Sequence, residues 1–85
     1  MRATMSIPEA LLAAEITGDS VAAAAIMTSG LDDLLQARLR ARLLTTPLDE
    51  TGEALRIVSD PRAAPHERGR ARARLAAIAG ARSAA

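Results

Sequence analysis

No phenylalanine, tyrosine or tryptophan occurs in the chain, and alanine supplies 21 of its 42 apolar residues. Aromatic rings normally bring the largest single burial terms to a core. Here the core must be built from Leu, Ile, Val and Met, 21 side chains over 85 residues, with alanine filling the contacts between elements. Such a core is thin, and a domain this short with a thin core is expected to gain stability from a partner or from copies of itself. One domain, residues 1–85, is the expectation.

Helix punctuation recurs along the chain. Ser6 with Glu9, Ser29 with Asp32 and Thr46 with Asp49 each show the spacing of a capping box, in which a hydroxyl accepts from an early backbone N–H. Pro8 and Pro47 are placed in first turns, where a missing N–H costs least, and Gly18, Gly30 and Gly80 where helices end or bend. The pattern predicts an all-α fold, a small bundle of four to five short helices joined by tight turns. The helices are expected near 8–17, 20–29, 30–44, 48–59 and 65–79, the second and third separate or merged across Ser29-Gly30. Strand character is confined to residues 2–7, where Arg2, Thr4 and Ser6 alternate with Ala3, Met5 and Ile7. Residues 81–85 read as a frayed end.

Charge is divided unevenly. Residues 1–60 carry five Arg against nine Asp and Glu, and residues 61–85 carry six Arg against one Glu. An acidic helical body followed by an arginine-rich last helix over 61–80 suggests binding. Arg62, Arg68, Arg70, Arg72 and Arg74, with Arg82 beyond them, are the candidate contact with nucleic acid or an acidic partner. On that helix Arg70 and Arg74 share one ridge and Arg68 and Arg72 another, beside a packed stripe of Ala71, Leu75 and Ile78. Phosphate contact would make binding salt-dependent, but no aromatic is present to stack on bases.

A second candidate surface lies on the third helix, where Leu31, Leu34, Leu35, Leu39 and Leu43 recur on one broad face, with Arg38 and Arg42 inside its arc. Leu31, Leu35, Arg38, Leu39, Arg42 and Leu43 are the interface candidates. The two arginines either lay their stems over apolar surface or meet carboxylates across an interface. Val21 to Met27, small-sided all round, reads as a buried helix or as a dimer seam.

Nothing in the chain assembles a catalytic set. Without cysteine there is no disulfide, thiolate nucleophile or thiolate metal site, in keeping with a reducing, cytoplasmic setting. His66 has no second histidine for zinc, no nucleophile elbow occurs, and the five glycines are isolated rather than gathered in a phosphate loop. No enzyme, cofactor, metal or small-molecule substrate is expected. The longest apolar run, Val21 to Met27, is far below the ~20 residues of a membrane span, and Glu9 and Glu15 break the N-terminal segment, so neither membrane nor targeting sequence is expected. The partners left are another protein, copies of the chain itself, or nucleic acid.

Two family resemblances follow from particular stretches. Residues 49–80, with the run Glu53-Ala-Leu-Arg-Ile-Val-Ser-Asp60-Pro61-Arg-Ala-Ala-Pro65-His-Glu-Arg68 continuing to Ile78, resemble the helical pair of phage terminase small subunits, and equally a HEAT-type hairpin. That resemblance implies a member that oligomerises in a phage-like assembly or DNA-packaging setting. Residues 2–30, with Arg2 to Leu12 as the start and Gly18-Asp-Ser20-Val21 as the turn before a second helix, resemble a ribbon-helix-helix antitoxin or repressor, which would imply that Arg2, Thr4 and Ser6 read the major groove. The leading expectation is a helical interaction protein that self-associates or docks on a partner; the alternative is a DNA-binding regulator.

Overall fold

A computed structural model of the chain describes residues 5–84, with side chains through residue 81. Five helices follow one another: α1 (Ile7–Thr17), α2 (Ser20–Ser29), α3 (Asp33–Thr45), α4 (Glu50–Ser59) and α5 (Pro65–Ala84). No strand occurs among the described residues. The fold is a small all-α bundle, as the punctuation predicts, with α2 and α3 separate helices.

The caps explain where each helix starts. Ser6 caps α1 as expected, its Oγ accepting from Glu9 N–H at 3.3 Å, and its hydroxyl donates to Glu9 Oε1 at 3.0 Å. The other two boxes are corrected. Asp32 and Asp49 are themselves the caps, accepting from Leu35 N–H and Gly52 N–H at 2.8 and 2.9 Å, so α3 and α4 begin after them. A carboxylate at the cap position reaches the N–H three residues on without help from Ser29 or Thr46. Pro47 consequently lies before α4 rather than in its first turn.

Gly18 takes the left-handed conformation (φ 69°) that closes α1, with Asp19 N–H reaching back to the Ala14 carbonyl at 2.9 Å. Gly30, also at positive φ, ends α2. Gly80 does neither: α5 runs through it to Ala84, past the end expected at 79. Of the expected strand over 2–7, residues 2–4 lie outside the described residues. Met5 is buried, Ser6 is the α1 cap and Ile7 opens the helix.

The core is the Leu/Ala interior that the composition demands. Ala10, Ala13 and Ala14 of α1 meet Ala22 and Ile26 of α2, Leu39 and Leu43 of α3, and Ala54, Leu55 and Val58 of α4. Alanines on α1 let α2, α3 and α4 all pack against it. The last helix lies chiefly along α4, burying Ala71 and Leu75 with Ile78 half-buried, so the stripe expected on α5 is the one that packs.

Candidate interaction surface

Asp19 organises the junction of α1, α2 and α3. As the α2 cap, its Oδ1 accepts from Ala22 N–H at 3.0 Å. From α3, Arg38 Nη2 donates to the same oxygen at 3.0 Å and Nε stands 2.8 Å from Oδ2. The Ala22 N–H, and then Arg38, hold the Asp19 carboxyl below the usual carboxylate range, while burial opposes them. Arg38, expected as an interface residue, is thus engaged within its own chain. Arg42 is exposed one turn further along α3.

The leucines expected beside these arginines divide between two faces. Leu39 and Leu43 are fully buried in the chain's own core, with Leu31 and Leu35 half-buried against it. That face packs against α1 and α4 of the same chain. Leu34, assigned to the same face, stands 78% exposed. It belongs to another stripe. At 3.6 residues per turn Leu34, Ala37, Ala41 and Leu44 fall within about 80° of arc, opposite Leu35, Leu39 and Leu43. All four are exposed, Leu44 by 65%. α3 thus carries two apolar stripes, separated by Arg40 on one side and by Arg38 and Arg42 on the other.

The outer stripe runs into a groove of about 690 Å³ between α3 and the end of α4. Ala37, Ala41, Leu44, Ile57 and Pro61 give it apolar walls, and Arg40, Arg56 and Arg62 stand around it with Ser59 and Asp60. Asp60 shapes the turn, its Oδ1 accepting from Arg62 N–H at 2.8 Å. Arg56 pairs with Glu53 one turn earlier on α4. Arg62, expected in the basic contact group, therefore borders this groove.

The other arginines of that group lie on α5 and largely face the acidic body. Arg72 Nη1 donates to Glu9 Oε1 of α1 at 3.0 Å, and Arg74 reaches Glu50 of α4 at 2.9 Å. Arg70 and Arg74 line a cleft of about 350 Å³ with Glu53 and Glu67, where the charges balance. Arg68 is half-buried. The sequence asymmetry between acidic body and basic end is thus partly resolved inside one chain, each ridge of α5 meeting a carboxylate of the body.

His66 is exposed in the first turn of α5. Among the described residues, no three His, Cys, Asp or Glu side chains gather to hold a metal, and no helix is long and apolar enough to cross a membrane. The apolar run of α2 is buried on one side only: Ala22 and Ile26 face the core, whereas Val21 and Met27 are 65% and 77% exposed.

Sequence reasoning overlooked Asp19, Arg40, Ala37, Ala41 and Leu44. A signal for the outer stripe was present in the three-four-three spacing of residues 34, 37, 41 and 44. The adjacent Leu34-Leu35 and an early helix start at residue 30 concealed it. Neither family models, curated proteins nor solved structures yield a match to this chain.

Proposed function

We propose that the chain is a non-catalytic helical interaction protein whose docking surface is the outer face of α3 with the adjoining α3–α4 groove. The observation that carries this reading is the exposed Leu34, Ala37, Ala41 and Leu44 stripe, set opposite the core face of the same helix. Covering Leu34 and Leu44 would contribute roughly 1–2 kcal/mol each. Ala37 and Ala41 between them let a partner helix approach to about 8 Å. The engagement of Arg72 with Glu9 and of Arg74 with Glu50 favours contact with protein over tracking of phosphates. A phage-like assembly is one setting in which such a docking protein would serve.

Native mass spectrometry of the chain, alone and purified from its host, tests the reading. The wild type is expected to carry a second protein or a second copy, and Leu34→Gln/Leu44→Gln is expected to lose it while keeping its helical circular dichroism. Bare monomer in both samples, or equal association by wild type and variant, would overturn it.

A further inference from the structure

Resting on that docking face, we propose that its occupant is an acidic amphipathic helix of another protein. The stripe from Leu34 to Leu44 spans eleven residues of helix, about 15 Å, or nearly three turns. That length suits a helical ligand with apolar anchors at i, i+3 or i+4, and i+7. Small Ala37 and Ala41 between two leucines, beside Ile57, leave room for large anchors near the middle of the ligand.

The flanks set the sign of its charge. On one side of the stripe stand Arg40 and, across the groove, Arg62 and Arg56, the last already paired with Glu53; Asp60 is the one acid among the groove's lining residues. On the other stand Arg38 and Arg42, of which Arg38 is already balanced by Asp19. Asp33 is the acid at the stripe's N-terminal end. A ligand helix with carboxylates on its shoulders would meet arginine along most of this surface, and guanidinium suits carboxylate better than ammonium does.

A second copy fits poorly. Antiparallel pairing about a twofold axis between Ala37 and Ala41 sets Arg40 within one helical turn of its own mate. Parallel pairing sets Arg40 against the flank that carries Arg42. Either way arginine meets arginine, the arrangement that disfavours a partner. Nucleic acid would use the guanidinium groups but has no use for an apolar floor.

The full chain serves as bait for a display library of amphipathic helical peptides whose anchors and flanking positions are randomised. Leu34→Gln/Leu44→Gln serves as the counter-bait, and a duplex DNA is titrated in parallel. Peptides that bind the wild type and not the counter-bait are expected to be rich in Asp and Glu on their flanks. Replacing those acids with Lys should weaken binding on the order of tenfold, and Arg40→Glu/Arg62→Glu should reverse the preference. Selected peptides without acidic enrichment would overturn the acidic partner and leave the docking face standing. A library giving no peptide that distinguishes bait from counter-bait would overturn both. So would DNA binding that Leu34→Gln/Leu44→Gln abolishes.

Discussion

Arg38 of α3 closes side-on over the buried carboxylate of Asp19, its Nε 2.8 Å from Oδ2 and its Nη2 donating to Oδ1 at 3.0 Å. The same carboxylate caps α2 through Ala22 N–H, so one side chain fixes the start of one helix and the seat of another. With Asp19 only 5% exposed, neither partner is replaced by water without rearrangement. On α3, beside this contact, Leu39 and Leu43 are buried and Leu34 and Leu44 are exposed.

Removing Asp19 should cost more than removing Arg38. Asp19→Ala loses both the cap and the ion pair, about 2 kcal/mol. Arg38→Ala leaves the cap in place, and the Arg38 side chain is 42% exposed, so the loss should be about 1 kcal/mol. Urea unfolding followed by far-ultraviolet circular dichroism checks the order; equal losses, or a larger loss for Arg38→Ala, would contradict it.

Acid should dissolve this junction. The folded Asp19 carboxyl lies below its ordinary value, chiefly through the Ala22 N–H and then Arg38. Its contribution is therefore complete above the unfolded value of about 4 and is lost as pH falls through the depressed folded one. The difference in urea midpoint between wild type and Asp19→Asn should be constant near neutrality and shrink below about pH 4. A difference that grows on acidification contradicts the assignment.

Two helical glycines should respond to alanine with opposite signs. A Cβ on Gly52 would stand 2.7 Å from Leu48 Cδ2 and 2.9 Å from Leu48 Cβ, a close approach of the loop before α4. Gly52→Ala should destabilise by about 1–2 kcal/mol despite alanine's higher helix propensity. Gly69 on α5 has nothing within 4 Å of such a Cβ, and Gly69→Ala should stabilise by roughly 0.5–1 kcal/mol. Thermal unfolding of the two variants reads both signs.

Helix number and order were legible because caps and glycines announce themselves locally. Ser6, Gly18, Gly30 and Pro65 each mark an end through chemistry that acts within a few residues. What covers the Leu39 and Leu43 face of α3 was not legible. Leucine spacing marks an apolar face, but the helices that close it, α1 and α4, are not given by that spacing, and neither is the pairing of Arg38 with Asp19. The same holds for the basic end: an arginine-rich helix can be read from composition, but not that Arg72 meets Glu9 from α1. Long-range ion pairs leave no periodic trace.

The Arg72 pair should be a modest clasp. Glu9→Ala removes both the α1 capping partner and the ion pair and should cost about 1 kcal/mol, whereas Arg72→Ala should cost about 0.5 kcal/mol, since its side chain is 47% exposed. Raising the salt concentration should narrow the Arg72→Ala difference, as screening weakens an exposed pair in the wild type. Urea midpoints at two ionic strengths test this.

A photo-crosslinking residue at Ala41, in the middle of the outer stripe, tests the docking face most directly, with the same residue at exposed Ala76 of α5 as the control. Irradiated in the cells that make the chain, the Ala41 variant is predicted to yield a discrete adduct with a protein, and the Ala76 variant none. No adduct at Ala41, or the same adduct from both positions, would contradict a docking function for α3.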